Sequence, residues 1–382
     1  MPSSELIYLD NNATTRIDPA VLKVMHEAHA TAFANPGSRH AAGRQARRLL
    51  EDAREQIASI VGAHPNEVIF TSGGTESINL AISGLAWSPD GILLSLPGEH
   101  PATVAAIRKM EQLGWKSAHF PVDERGEILS ERLPDLEWNH ARMATVLWAH
   151  NETGVIQDLG PVEELCERNM IPLHIDAVQA VGKIPVNFRG MRVTALSFAA
   201  HKFHGPRGIG ALLLKSGCQL KPMLVGGFQE SERRAGTEAV SLIAGMAKAL
   251  ELWNADRELR IAHLEQLQSE FETELRKLLP SVVINGEGAP RLPSTSNVAF
   301  PGVDGEALLV SLDLAGIACS MGSACASGSS EPSPILVAMG LPSDVYEGSL
   351  RFSFSVQNTL DEIHTAVKRV ADVVRPQLDS SL

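Results

Sequence analysis

Residues 193–214, Arg-Val-Thr-Ala-Leu-Ser-Phe-Ala-Ala-His-Lys-Phe-His-Gly-Pro-Arg-Gly-Ile-Gly-Ala-Leu-Leu, set the reading of the whole chain. An apolar run rich in strand formers ends at Ala199-Ala200. His201 and Lys202 follow, then a turn carrying Gly205, Gly208 and Gly210, then a second apolar run from Ala211 to Leu214. The pattern predicts strand, turn, strand. It leaves one lysine at the end of a buried strand, among glycines that let backbone or a ligand come close. A lysine held that way loses its charge more easily and can act as an amine nucleophile or base. A lysine on a solvated loop is the plain alternative.

The stretches before it repeat one arrangement. Ile171 to Ile175 is an apolar strand ending in Asp176-Ala177-Val178-Gln179. A buried Asp176 needs a partner: a protonated ring nitrogen, an arginine or a backbone cap. Ala144 to Trp148 is a strand leading into His150-Asn151-Glu152-Thr153-Gly154, with a helix over about 161–169. Ile92 to Leu96 is a strand followed by Gly98-Glu99-His100-Pro101, where Pro101 opens a helix to Leu113. Val68-Ile69-Phe70 is a strand followed by Thr71-Ser72-Gly73-Gly74-Thr75-Glu76-Ser77 and an apolar helix from Ile78 to Leu85. Such a turn aims free backbone N–H groups at an anion, or simply caps the helix. It matches neither Walker A nor GxGxxG, so nucleotide binding is not indicated.

Alternating strands and helices over 65–215 predict a mostly parallel sheet covered on both faces. Ligand groups gather at the strand ends of such sheets. Gly74-Thr75, His100, Asn151, Asp176 to Gln179 and His201-Lys202 all lie on those turns. Before them, Leu6 to Thr15 reads as a short strand and a polar turn. Asp18 caps and Pro19 opens a helix to about Phe33. Residues 39–61 form an amphipathic helix ended by Gly62. The arginines at 39, 44, 47 and 48 lie largely off its apolar stripe and read as a solvated face.

Beyond residue 215, a polar loop runs from Gly226 to Glu238. A long helical stretch over about 238–279 follows, with a break near 254. Asn297 to Phe300 and Leu308 to Leu312 suggest a smaller α+β domain, closed by a helix over 361–376. Cys319-Ser-Met-Gly-Ser-Ala-Cys325-Ala-Ser-Gly-Ser-Ser is a small-residue loop in which Cys325 is expected to be exposed and reactive. Cys319 follows an apolar run and reads as structural. Arg351 is a cation inside an apolar strand, so it wants a carboxylate from the protein or from a substrate.

Bulk properties bound the function. The 382 residues allow two domains or one large α/β domain, and 44% hydrophobic with 20% charged residues is ordinary for a globular protein. A net charge of −12 argues against general nucleic-acid or anionic-membrane binding. The four cysteines form no CxxC pair and no zinc-finger spacing, and so few cysteines point to a reducing compartment. His26 and His29 lack the spacing of HExxH, so no metal is expected there. With neither a signal peptide nor a membrane-spanning apolar run in view, a cytoplasmic location is expected.

Together these residues resemble the cysteine desulfurases of the NifS/IscS type, within the class V aminotransferase-like enzymes that use pyridoxal 5′-phosphate (PLP). The carrying motifs are Tyr-Leu-Asp-Asn-Asn-Ala-Thr-Thr (8–15), Thr-Ser-Gly-Gly-Thr-Glu-Ser (71–77), Asn-Glu-Thr-Gly (151–154), His-Ile-Asp-Ala-Val-Gln (174–179), His-Lys…Gly-Pro-Arg-Gly-Ile-Gly (201–210), Arg-Ala-Gly-Thr-Glu (234–238) and Gly-Ser-Ala-Cys (322–325). The resemblance implies a PLP-dependent transferase fold of the aspartate aminotransferase type. Its large domain, residues 16–252, would hold a mostly parallel seven-stranded sheet. Residues 1–15 and 253–382 would form the small α+β domain with the catalytic loop.

The resemblance also implies roles. Lys202 would hold PLP covalently and then act as base on the substrate Cα–H. Asp176 would pair with the ring nitrogen, and His100 would stack on the ring and move protons. Gln179 and Asn151 would contact the ring oxygen or substrate. Gly74, Thr75 and His201 would bind the phosphate, with Thr237 supplied by the partner subunit of a homodimer. Arg351 would clamp the substrate carboxylate. The Cys325 thiolate would take sulfur from L-cysteine, leaving L-alanine and a persulfide for a sulfur-acceptor protein such as an iron–sulfur scaffold. No resident metal is implied, and Cys325 is at most a transient cluster ligand with a scaffold. Three positions depart from the family pattern: Ala199 replaces a serine that bonds the phosphate, His150 replaces the first asparagine of Asn-Asn-Glu-Thr-Gly, and Phe228 replaces a glycine. A selenocysteine lyase or another class V PLP enzyme is the near alternative, and a non-catalytic sulfur-assembly protein the distant one.

Overall fold

Strand residues that alternate between two apolar faces build the centre of the molecule. The structure is a computed structural model and describes residues 6–87, 90–322 and 332–379. In chain order the first half contains β1 (Ile7–Tyr8), α1 (Pro19–Thr31), α2 (Ala41–Val61), β2 (Val68–Thr71), α3 (Gly74–Leu85), β3 (Ile92–Ser95), α4 (Pro101–Gln112), β4 (Lys116–His119), β5 (Ala141–Leu147), α5 (Gly160–Arg168), β6 (Leu173–Asp176), β7 (Ala195–Ala199) and β8 (Gly210–Leu214). The second half contains α6 (Val240–Ala255), α7 (Arg257–Leu278), β9 (Val283–Ile284), β10 (Thr295–Ala299), α8 (Gly305–Leu314), β11 (Ile317–Ala318), α9 (Pro334–Ala338), α10 (Ser343–Tyr346), β12 (Ser349–Ser353) and α11 (Leu360–Asp379).

The large sheet has seven strands in the order β2-β8-β7-β6-β5-β3-β4. All neighbours pair in parallel except β8, which runs antiparallel to both β7 and β2. This is the mostly parallel sheet expected from the alternating pattern. Period-2 geometry sends Phe70, Leu94 and Leu213 to one face and Ile69, Leu93 and Leu212 to the other. The first face packs on Val21 of α1, Leu50 and Ile57 of α2, Val162 of α5 and Ile243 of α6. The second packs on Ile78 and Ile82 of α3 and Ala106 and Met110 of α4. With both faces covered, the C-terminal strand ends are where polar side chains collect.

A second core lies beyond α6. β9, β10 and β12 form a three-stranded antiparallel sheet, and β1 pairs in parallel with β11. Phe271 of α7 sits with its ring centroid 4.9 Å from Phe352 and 5.3 Å from Phe354, among side chains of α8 and α11. The chain crosses between the two cores directly after β1. Asp10 bridges Ser353, and Thr15 N–H then donates to His201 O. Among the described residues, no helix is long and apolar enough to cross a membrane.

Local signals place most of the ends. Asp18 accepts from Ala20 N–H at the start of α1, and Gly62 closes α2 at φ 67°, in the left-handed region that glycine favours. The break in the long helical stretch falls at Asp256, between α6 and α7. Helix α3, however, starts at Gly74 rather than Ile78. One local and one distant contact hold its first turn. Glu76 accepts from Ser72 N–H at 2.7 Å and takes a two-pronged bond from Arg234 at 2.7 and 3.1 Å.

Candidate active site

Lys202 ends a one-turn 3-10 helix, Ala200–Lys202, that stops β7. Its Nζ donates to the backbone oxygens of Asn12 at 2.6 Å and Ala13 at 2.9 Å. His201 beside it meets Thr14 Oγ1 at 3.2 Å. The turn after β1 and the turn after β7 therefore form one wall, built from residues far apart in the chain.

Asp176 is the last residue of β6 and is buried. Its Oδ1 accepts from Val178 N–H at 3.0 Å, so the backbone cap is the partner found. Burial pushes its carboxyl up to about 6, and the Lys202 ammonium pulls the other way. A cationic N–H presented to it would hold the carboxylate ionised at neutral pH.

His100 caps α4, with Nδ1 accepting from Ala102 N–H at 3.1 Å. Burial first and Lys202 second bring its pKa down to about 4. The neutral ring therefore carries its proton on Nε2. His201 is likewise brought down to about 4, by burial and then by Lys202.

Glu99, next to His100, was not singled out from the sequence. Its Oε1 accepts from Leu147 N–H at 2.9 Å and from Leu96 N–H at 3.4 Å, tying the ends of β5 and β3. Burial, and then the charge of Asp176, push it up to about 8. The proton stays on Glu99, which leaves the negative charge to Asp176. Asn12 was also missed. It receives both Lys202 and Gln179 on its backbone oxygen, and its Nδ2 donates to Thr295 Oγ1 at 2.8 Å and Asn151 O at 3.2 Å. Only the run Asp-Asn-Asn after a short strand hinted at it.

Arg351 lies on β12 and is almost wholly buried. Nη2 donates to Asp10 Oδ1 at 2.6 Å and Nη1 to Asn151 O at 3.0 Å. The carboxylate that this arginine was expected to need comes from the protein. Its Nε is buried with no partner among the described residues. Asn151 is buried next to Glu152, which accepts from Ser333 Oγ at 2.6 Å. A Cβ at Gly322 would stand 3.1 Å from the same Glu152 oxygen. Cys325 lies outside the described residues.

The Gly73–Gly74 turn has no side-chain cap, and Gly73 holds φ 154°, which L side chains rarely adopt. A Cβ on Gly74 would come within 2.8 Å of Val178 Cγ2 and 3.7 Å of Ala199 Cβ. The turn after β2, the segment after Asp176 and the end of β7 thus close around one spot, where the N-terminus of α3 offers backbone N–H groups to an anion. Thr237 is exposed on a separate loop. The departures have plain surroundings. His150 Nδ1 accepts from Glu152 N–H and its Nε2 meets Gly98 O at 3.0 Å, so it braces two site turns. Ala199 is buried, and Phe228 is exposed.

These donors suit PLP. A carboxylate, a strand-end lysine and a helix N-terminus would match its ring nitrogen, aldehyde and phosphate. The aminotransferase class-V family model matches residues 7–365. The chain belongs to the class V aminotransferase family. Among its relatives is "Cysteine desulfurase" of Enterobacter agglomerans, 41% identical over 371 residues, covering 96% of this chain and 92% of that one. A solved structure described as "NIFS-LIKE PROTEIN" is 32% identical with a TM-score of 0.89, covering 97% of this chain and 99% of that one. Another, "SspA in complex with cysteine", is 29% identical with a TM-score of 0.81, covering 92% and 99%. As a member of this family, the chain is a PLP-dependent enzyme.

Proposed function

We infer that this chain is a PLP-dependent cysteine desulfurase of the NifS/IscS type, with Lys202 as the cofactor lysine and Cys325 as the sulfur carrier. It converts L-cysteine and the Cys325 thiol into L-alanine and a persulfide on Cys325. Bound PLP supplies an electron sink for the pair released at the substrate α-carbon.

The convergence of Lys202, Asp176 and His100 on one group of strand ends, beside an uncapped helix N-terminus, carries this reading. Lys202 holds PLP and takes the α-proton of the substrate onto Nζ. Asp176 balances the ring-nitrogen charge, while Glu99 keeps its own proton. His100 faces the ring with a neutral imidazole and an Nε2 proton to give. Gly74, Thr75 and His201 receive the phosphate with Thr237 of a second copy. Arg351 takes the substrate carboxylate beside Asn151, and its Nε, without a partner among the described residues, supports that role. Gly322 and Ser333, which flank the segment containing Cys325, both approach Glu152, the neighbour of Asn151.

The same reading makes residues 16–252 the cofactor-binding domain and 1–15 with 253–382 the smaller one. It makes the protein a cytoplasmic homodimer that passes sulfur to an acceptor such as an iron–sulfur scaffold. The test is the visible spectrum of the purified protein before and after L-cysteine, with alanine assayed. A yellow protein that forms alanine is expected. A protein that takes up no added PLP overturns the reading.

A further inference from the structure

We propose that Lys183 is a positioning residue that decides which end of the Gln179 amide faces the cofactor. This rests on the reading of the site as a PLP site in which Gln179 contacts the ring oxygen. Lys183 is buried, and its Nζ donates to Gln179 Oε1 at 2.6 Å and to Asn12 Oδ1 at 2.7 Å. Gln179 Nε2 in turn donates to Asn12 O at 2.9 Å, the carbonyl that also accepts from Lys202.

An amide is nearly symmetric in shape and opposite in chemistry at its two ends: Oε1 only accepts and Nε2 only donates. Turning the Gln179 amide over would set its NH2 against the Lys183 amine, donor on donor. It would also set its oxygen against Asn12 O, acceptor on acceptor. The orientation is therefore determined twice, and it leaves the donor end toward Lys202. A donor suits an anionic ring oxygen, whereas an acceptor would repel it.

The surroundings of the Lys183 amine are strongly electropositive and dry. Burial brings its pKa well below the usual lysine range, and Lys202 and Arg351 push the same way. His201 and His204 also lie within its electrostatic reach. Lys183 Nζ donates twice, and both acceptors are side-chain amide oxygens.

The test is a double-mutant cycle on the full-length protein, reading PLP Kd and the position of the cofactor's visible band. Lys183→Met and Gln179→Ala should each raise the PLP Kd about ten-fold, the worth of one hydrogen bond to a charged acceptor. Both should move the visible band alike. In the double variant, Lys183→Met should add less than about two-fold to the effect of Gln179→Ala. An equal effect of Lys183→Met in both backgrounds, or none in the parent, overturns the proposal. If Lys183→Met does not fold, Gln179→Glu decides. It keeps a partner for Lys183 and offers only acceptors, so a parental PLP Kd overturns the proposal and a raised one supports it. A parent protein that takes up no PLP overturns the functional reading, and this inference with it.

Discussion

The Lys202 amine and the backbone oxygen of Asn12 stand 2.6 Å apart, joining the end of β7 to the turn that follows β1. Ala13 O is the second acceptor, at 2.9 Å. The amine is thus held by backbone, which fixes its height above the strand ends whatever the neighbouring side chains do. Lys202→Ala should keep the fold, because the two carbonyls lie on a turn anchored separately by Thr15. It should lose the visible band of covalently held PLP and all alanine formation. An unchanged band in the purified variant would contradict the assignment of Lys202.

Glu99 and Asp176 share one buried region but only one charge. Burial and the Asp176 carboxylate raise Glu99 to about 8. A carboxyl whose folded value lies above its unfolded one adds stability that is complete below the unfolded value and lost as pH rises through the folded one. The window therefore runs from the ordinary glutamate range up to about 8. Across it, the parent should lose stability relative to Glu99→Gln by up to about 1.4 kcal/mol per pH unit. The glutamine still accepts from Leu147 N–H and never ionises. Urea denaturation of both proteins across this range reads the difference, and parallel curves would refute the protonated Glu99.

Arg351 faces Asp10 on one nitrogen and has a buried Nε without a partner among the described residues. A lysine in its place would keep the charge but could not reproduce a planar fork. Arg351→Lys should therefore raise KM for L-cysteine by about ten- to a hundred-fold while leaving PLP affinity near the parent's. Steady-state kinetics and a PLP titration separate the two effects. A parental KM would remove Arg351 from substrate binding.

How far the residues alone led can be judged at individual positions. Lys202, Asp176 and His100 sit at strand ends, as the apolar runs before them indicated, because burial and chain direction are local properties of those runs. The caps at Asp18, Gly62 and His100 are equally local. What escaped was set by contacts across the chain. In the first turn of helix α3, Glu76 is held by Arg234, 158 positions away. Strand β4 is an edge strand with exposed and half-buried residues, so it lacks the apolar run that marks the others. Asn12 and Glu99 take their importance from partners 171 and 48 positions distant, which no spacing rule reaches. Asp10 as the carboxylate beside Arg351 belongs with them.

The most direct measurement is a single turnover with L-cysteine, comparing the parent with Cys325→Ser, in which alanine is quantified and the peptide containing residue 325 is weighed by mass spectrometry. The parent should form one alanine per active site and gain one sulfur atom on Cys325. Cys325→Ser should keep its yellow colour and form neither product. Persulfide on another cysteine, or alanine at the parental rate from Cys325→Ser, would contradict Cys325 as the sulfur carrier.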